Sequence, residues 1–208
     1  MGKIFYLIGK SATGKDSIME RLLADDTLDL HRIVQYATRP IRDGEEEGRD
    51  YHFITPERSE ELERDGLVIE CRAYNTVHGI WKYMLVRDGQ IDLSERDYIA
   101  VGTIESYTKV RDFFGDSSVV PIYVFVETGE RLERALRRER NHLNPKYAEM
   151  CRRFLSDEQD FSDESLREAG LMDADGTVRN AFENVDREEC IAEIRAFILK
   201  EKEQGQPG

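Results

Sequence analysis

The chain has 208 residues, which is the length of one ordinary domain with small inserts. Hydrophobic residues make up 39% of it and charged residues 35%, and 43 Asp and Glu outnumber 30 Lys and Arg, so the formal net charge is −13. Because an acidic surface repels nucleic-acid backbones and anionic lipid, we expect neither nucleic acid nor membrane as a partner. A phosphate-bearing ligand would have to be held by a local basic site.

The three cysteines and the N-terminus indicate the cellular compartment. Cys71, Cys151 and Cys190 are widely spaced and odd in number, which favours free thiols in a reducing cytosol over disulfides or a metal site. The first apolar run, 4–8, is too short for a secretion signal or a membrane span. Tyr6 stands where an N-myristoylation signal needs Ser or Thr. These features predict a cytoplasmic protein whose first strand is buried.

A glycine-rich loop follows this predicted strand and leads into apolar residues at helical spacing. Strand, glycine loop and helix is the order of a phosphate-binding loop, in which backbone N–H groups and the positive helix N-terminus surround the phosphates. Lys15 would bring a full positive charge to the β- and γ-phosphates. We therefore predict that ATP is bound by Gly9, Ser11, Ala12, Thr13, Gly14, Lys15, Asp16 and Ser17.

Asp16 stands where such a loop carries a Ser or Thr hydroxyl for Mg²⁺. A carboxylate can serve instead, because Mg²⁺ prefers oxygen ligands and is often held by one or two carboxylates together with substrate phosphates. Asp16 can equally well be a negative residue that stabilises the helix start. Both interpretations stay open, and Asp16 is the candidate metal ligand. Ser17 either contacts an α-phosphate or simply occupies the first helical turn.

A second candidate phosphate site lies after the predicted strand 33–37. Arg39 and Arg42 are three residues apart in a predicted turn, and Tyr51 follows them. Two guanidinium groups and a phenol can hold one phosphate dianion through charge-assisted hydrogen bonds. Alone, such residues are typical of a solvated loop. After a phosphate loop they indicate a second phosphate site.

The same segment resembles the nucleotide-acceptor segment of guanylate kinases, and the glycine loop lies at the expected distance upstream. The resemblance implies a P-loop nucleoside monophosphate kinase that uses ATP and Mg²⁺ to phosphorylate GMP or dGMP. The matching positions are Thr38, Arg39, Arg42, Gly44, Glu45, Gly48, Asp50, Tyr51 and Phe53.

The resemblance also assigns recognition of the acceptor base. It implies that the Glu70 carboxylate accepts hydrogen bonds from the two adjacent N–H groups of guanine, a pair that adenine lacks. Elsewhere the pocket departs from the family: Gln35 replaces a serine and His78 a tyrosine. Val101 and Thr103 stand where the central strand of the family carries aspartates. We therefore expect the metal-binding carboxylate in the phosphate loop instead, at Asp16. The candidate acceptor residues are Gln35, Arg39, Arg42, Tyr51, Glu70, His78 and Thr103.

Two alternative functions remain. The Gly-Lys-Asp-Ser end of the loop also resembles ribose 1,5-bisphosphate phosphokinases, which share this fold and an apolar central strand, although the acceptor segment is closer to the guanylate type. Guanylate-kinase-like domains can also be non-catalytic protein-binding modules. A module of that kind has no chemical need for Lys15 or for basic lid residues.

Residues 131–153 reverse the charge of the chain, with eight Lys and Arg against three Asp and Glu. An amphipathic helix laced with ion pairs is one interpretation. The resemblance implies instead a mobile lid whose arginines close over the transferred phosphate. The candidates are Arg138, Arg140, Arg152 and Arg153, of which we assign Arg138 and Arg153 to catalysis together with Lys15, Arg39 and Arg42.

The predicted fold is α/β, a P-loop NTPase fold with a mostly parallel sheet flanked by helices. We expect one domain, a monomer or homodimer, with a core of about 1–35, 93–136 and 166–200. An acceptor-binding insert covers about 36–92, a lid about 137–165 and a polar tail 201–208. The resemblance places Asn184, ahead of the last helix, near the donor adenine. The stretch 154–189, which has twelve Asp and Glu, has no assigned role.

Overall fold

The computed structural model describes residues 1–42, 44–76 and 79–204, which contain both strands and helices. The strands are β1 Ile4–Ile8, β2 Leu30–Arg32, β3 Gln35–Ala37, β4 Tyr51–Phe53, β5 Val68–Thr76, β6 Gly79–Val86, β7 Asp97–Gly102, β8 Val119–Phe125 and β9 Ala181–Glu183. The helices are α1 Lys15–Leu23, α2 Pro56–Arg64, α3 Ile104–Phe114, α4 Thr128–Arg140, α5 Tyr147–Asp160, α6 Asp163–Glu168 and α7 Arg187–Gln204.

The central sheet has five strands in the order β2-β7-β1-β8-β9, and its neighbouring strands are parallel. All five residues of β1 are buried, as expected for a strand with helices on both faces. Phe5 and Leu7 pack with residues of α1 and α7, whereas Tyr6 packs with α3. The predicted α/β fold with a parallel sheet flanked by helices is confirmed. The loop after β1 and the turn after β7 consequently lie at the same edge of the sheet.

A second sheet, of four strands, has the order β4-β3-β6-β5 and is of mixed direction. The strand predicted over 33–37 is present only as β3 of the second sheet, Gln35–Ala37, because β2 ends at Arg32 in the central sheet. The chain crosses between the sheets at Val34. There the side chain of Gln90 replaces a strand partner: its Oε1 accepts from the Val34 N–H at 2.8 Å, and its Nε2 donates to the Val34 carbonyl at 3.1 Å.

The second sheet has one packed face and one face that carries polar and aromatic side chains. Leu62 of α2 packs with Met84 and Val86 of β6 on the packed face. In the β-ladder, Arg72 of β5 lies opposite Tyr83 of β6, which lies opposite Ala37 of β3. Side chains alternate along a strand, so residues two apart from these share their face. That face includes Glu70, Tyr74, Gln35 and Arg39.

The C-terminal helix is longer than the sequence indicates. Residues 201–204, expected in a polar tail, belong to α7, whereas 205–208 lie outside the described residues. Two ion pairs explain the extension: Lys3 Nζ lies 2.7 Å from a Glu201 carboxylate oxygen, and Lys202 Nζ lies 2.9 Å from the carboxylate of Asp97.

Cys71, Cys151 and Cys190 are free thiols, half-buried, exposed and buried respectively. Among the residues that the structure describes, no helix is both long and apolar enough to span a membrane.

Candidate active site

The glycine loop connects β1 to α1 in a conformation that requires its glycines. Gly14 has a left-handed φ of 89° and Ala12 one of 67°, so the backbone turns sharply just before the helix. A Cβ on Gly9 would lie 2.2 Å from the carbonyl oxygen of Val124, and one on Gly14 would lie 2.5 Å from the Nδ2 atom of Asn184. Close packing against β8 and Asn184 therefore fixes both positions as glycine.

Asn184 supports this loop from inside the protein. Its buried Nδ2 group donates a hydrogen bond to the carbonyl of Thr13 at 2.7 Å, and the Thr13 hydroxyl in turn donates to the carbonyl of Lys10 at 2.9 Å. The Oδ1 atom of Asn184 is buried without a hydrogen-bond partner. Asn184 thus positions the loop backbone, and its role beside an adenine stays a prediction.

Lys15 starts α1 and points back over the loop. Its Nζ group donates to the carbonyl of Lys10 at 3.2 Å. Burial lowers the pKa of Lys15, and the nearby carboxylates of Asp16 and Asp157 act in the opposite direction. A desolvated ammonium at the N-terminus of a helix gains strongly from an anionic partner, which suits a phosphate site.

Asp16 and Ser17 are exposed in the first turn of α1. Burial raises the pKa of Tyr51, and the Asp16 carboxylate contributes to that increase. The Asp16 carboxylate therefore acts electrostatically on both Lys15 of the phosphate loop and Tyr51 of the acceptor segment. The described part of the chain contains no group of three or more His, Cys, Asp or Glu that could hold a metal. A single carboxylate completed by phosphate oxygens and water nevertheless fits Mg²⁺.

Two of the four candidate lid arginines lie beside the phosphate loop. Arg138 of α4 and Arg153 of α5 line one pocket with Ser11, and Arg138 is also close enough to lower the pKa of Lys15, although burial and two carboxylates influence that pKa more. The guanidinium of Arg152 instead pairs with Glu149, with both hydrogen bonds at 2.8 Å. Arg140 is exposed at the end of α4.

Sequence reasoning did not select Arg131, which the structure places at the centre of the lid contact. Its side chain is 1% exposed and lies 3.7 Å from the centroid of the Phe154 ring. It donates to the Ser11 carbonyl at 3.3 Å and forms ion pairs with Asp157 and Glu158. The sequence offers only a weak signal, because Asp157 and Glu158 are adjacent acids one helical turn after Arg153. It does not indicate with which cation they form ion pairs.

Asp157 of the lid also contacts the phosphate loop directly. Its Oδ2 atom accepts a hydrogen bond from the backbone N–H of Ser11 at 2.7 Å, and Glu158 accepts one from Lys10 Nζ at 2.8 Å. The loop thus binds the Asp157 carboxylate through a backbone N–H, which is the type of group that binds phosphate oxygens in phosphate-binding loops.

The acceptor segment is built around Arg39. This residue is 3% exposed, and its guanidinium forms two 2.6 Å hydrogen bonds with the carboxylate of Glu45 and one of 3.1 Å with the hydroxyl of Tyr83. The guanidinium carbon lies 5.0 Å from the ring centroid of Tyr51 and 5.3 Å from that of Phe53. Aromatic rings and a bidentate carboxylate therefore fix the orientation of the cation.

Arg42 has an exposed side chain in the same turn. Its backbone N–H donates to the Glu45 carboxylate at 2.9 Å, so Glu45 organises both arginine positions. In the structure Arg39 contacts the ring of Tyr51, and Glu45 links Arg39 to the backbone of Arg42.

Glu70 is buried at the inner end of the polar face of the second sheet. Its two carboxylate oxygens accept from Arg72, at 3.2 Å from Nε and 3.1 Å from Nη2, and the same Nη2 group donates to Gln35 Oε1 at 3.0 Å. Burial raises the pKa of Glu70, and Arg72 partly offsets that effect. Glu70 and Gln35 are thus brought together as predicted, but through an arginine that sequence reasoning missed.

Thr103 and His78 complete the set of predicted acceptor residues. Thr103 caps α3: its hydroxyl accepts from the Ser106 N–H at 3.3 Å while its own N–H donates to the Ser106 hydroxyl at 2.9 Å. This gives Thr103 a structural role, and its contact with an acceptor stays a prediction. His78 lies outside the described residues.

Comparison with known proteins identifies the family. The guanylate kinase family model matches residues 1–184. The chain belongs to the guanylate kinase family. A guanylate kinase structure from Anaplasma phagocytophilum has the same fold, with a TM-score of 0.62 and 22% identity over 96% of this chain and 86% of that one.

Curated relatives of this guanylate kinase family member are distant in sequence. It is 28% identical to a Latilactobacillus sakei guanylate kinase over 134 residues, and 29% identical to guanylate kinase 2, chloroplastic/mitochondrial, of Oryza sativa over 141 residues. These matches cover 64% of this chain but 62% and 45% of the two relatives. The match to a Porphyromonas gingivalis guanylate kinase, at 24% identity, covers 96% of this chain and 98% of the relative.

The contact between Asp157 and Ser11 generates a prediction about ATP affinity. Asp157→Asn removes a negative charge beside the phosphate loop, so the triphosphate no longer has to displace or approach a carboxylate. We expect ATP to bind roughly 5- to 20-fold more tightly, as measured by calorimetry. The matched control is Asp160→Asn in the same helix, which should leave the affinity within about twofold. Weaker ATP binding by Asp157→Asn would show that the carboxylate assists the donor.

The Arg39–Glu45 pair generates a prediction about pH. Hydrogen bonding to Arg39 lowers the pKa of Glu45 below its ordinary value of 4.5. A lowered pKa means that the pair stabilises the fold fully above about pH 4.5 and progressively less as the pH falls through the folded-state pKa. Glu45→Gln should therefore lower the free energy of unfolding by about 1–3 kcal/mol at pH 7 and by much less at pH 3. Denaturant unfolding at both pH values tests this, and an equal loss at both would rule out the ion pair as the cause.

Proposed function

We propose that this chain transfers the γ-phosphate of ATP to the phosphate of GMP or dGMP, with Mg²⁺, to give the nucleoside diphosphate. The observation that supports the proposal most is the position of Asp16, whose carboxylate acts electrostatically on both Lys15 of the phosphate loop and Tyr51 of the acceptor segment. This shared influence supports two cationic sites that would border one cleft. A donor and an acceptor phosphate bound there would meet end to end.

The proposed chemistry needs alignment and charge neutralisation rather than a covalent intermediate. Lys15 and the loop N–H groups would hold the donor phosphates. Arg39, Arg42 and Tyr51 would hold the acceptor phosphate. A bound Mg²⁺ would offset phosphate charge, and Asp16 is the residue placed to hold it. Arg138 and Arg153 would neutralise the group in transit, since both line the pocket beside Ser11.

The lid would keep water away from the transferred phosphoryl group. Its helix α5 already contacts the loop through Asp157 and Glu158, and it carries Arg153 towards the same place. Exclusion of water limits wasteful hydrolysis of ATP and strengthens every electrostatic contact in the cleft.

A sugar bisphosphate such as ribose 1,5-bisphosphate is a second candidate acceptor, favoured by one observation. Arg72 occupies the carboxylate of Glu70, the group that would otherwise bind guanine. A compact acceptor without a base needs no such carboxylate. A non-catalytic binding module is the remaining alternative, and saturable ATP binding would argue against it.

An assay of ADP release with GMP, dGMP, AMP, UMP and ribose 1,5-bisphosphate tests the proposal. We expect the highest kcat/KM with GMP or dGMP. Arg39→Lys should lower it by at least about 100-fold, because a lysine cannot reproduce the two-pronged contact. Arg49→Lys, an exposed residue of the same loop, is the matched control and should change little. A preference for the sugar bisphosphate would overturn the proposed acceptor.

Asp16→Ala tests the proposed metal ligand. Turnover should fall by about 100-fold or more and lose its dependence on Mg²⁺, while ATP measured by calorimetry without metal should still bind. Asp26→Ala, an exposed residue just after α1, should retain the activity and the metal dependence of the unaltered chain. Unchanged turnover by Asp16→Ala would leave Asp16 with a helix-stabilising role alone.

A further inference from the structure

Arg72 and Glu70 form a closed ion pair inside the acceptor face of the second sheet. They are two residues apart on β5, so their side chains share that face. Nε and Nη2 of the arginine each donate to a different carboxylate oxygen, which is the parallel, two-pronged arrangement of a guanidinium and a carboxylate. The side chain of Glu70 is 0% exposed and that of Arg72 is 10% exposed. Solvent therefore competes little for the pair.

The surroundings hold this pair in place. Nη2 of Arg72 also donates to Gln35, and the raised pKa of Tyr6, about 12 mainly because of burial, keeps that neighbouring phenol neutral. Lys109, which also faces Glu70, is engaged with the Glu105 carboxylate at 2.6 Å and the Cys71 carbonyl at 3.2 Å. Each cation near Glu70 thus has a carboxylate partner: Arg72 pairs with Glu70 and Lys109 pairs with Glu105. An acceptor would therefore have to break the pair between Arg72 and Glu70 in order to reach Glu70.

Guanine would need the same face of the carboxylate. Its N1–H and 2-amino groups are adjacent, parallel donors, and they match a carboxylate in the same two-pronged way as a guanidinium does. The remaining lone pairs of the two oxygens point away from each other, so one flat base cannot use both while Arg72 stays bound. The Glu70 carboxylate, which could recognise guanine, is therefore already bound by Arg72.

We propose that Arg72 is a specificity-determining residue that withdraws Glu70 from base recognition, so that this chain hardly reads the 2-amino group of guanine. This inference rests on the proposed function for the class of acceptor. It extends that function by making IMP an acceptor that binds about as well as GMP.

Binding of GMP and IMP, which differ only by the 2-amino group, tests the inference. Calorimetry at pH 8, where Glu70 is more fully ionised, should give dissociation constants within about threefold of each other for the unaltered chain. Arg72→Met keeps the length of the side chain but removes its donors. In this variant GMP should bind at least about tenfold more tightly than IMP, and adding Glu70→Gln should abolish the difference.

Two results would overturn the inference. One is a preference of the unaltered chain for GMP over IMP by more than about tenfold, and the other is the absence of any gain in a folded Arg72→Met variant, checked by thermal unfolding.

Arg72→Lys is the second variant: a lysine keeps the charge but makes a single-point contact, so it should give an intermediate preference. The binding test needs no ATP. Tight GMP binding without ADP release would refute the proposed function and leave this inference standing.

Discussion

A buried cation is stable only with a counter-charge, and this constraint organises the whole site. The chain provides carboxylates of its own for three buried arginines: Glu45 for Arg39, Glu70 for Arg72, and the two lid acids for Arg131. The net charge of −13 therefore coexists with guanidinium groups that are largely removed from solvent. An anion that bound to one of these arginines would therefore have to exchange with an internal carboxylate.

Part of this arrangement could be predicted from local sequence. The phosphate loop needs two glycines and Lys15 within seven residues, directly between a buried strand and a helix, and the structure shows why a side chain cannot replace either glycine. The parallel sheet followed from apolar runs alternating with helical patterns. Arg39 and Tyr51 could be selected as candidates because both lie in one segment, which follows the glycine loop and resembles the acceptor segment of guanylate kinases. Such features can be predicted because they depend only on residues that are close together in the sequence.

The remainder depends on contacts between residues that are far apart in the chain. Ser11 meets Asp157 across 146 positions, and Arg131 is 120 positions from the loop carbonyl that it binds. No local pattern indicates which of many charged residues will be buried together. The crossing from β2 to β3 at Val34 has the same origin, since the Gln90 side chain that supports it lies 56 positions away. Even Arg72, two residues from Glu70, looks like an ordinary surface arginine until the sheet brings its side chain to Gln35 of β3, across the intervening β6.

The central claim is that two anion sites face each other across one cleft, and a ligand that spans both tests it most directly. Adenosine and guanosine joined by five phosphates should bind at least about 100-fold more tightly than ATP in calorimetry, because the second contact becomes intramolecular. Lys15→Ala and Arg39→Ala should each reduce that affinity at least about tenfold. An affinity equal to that of ATP, unaffected by Arg39→Ala, would contradict the account.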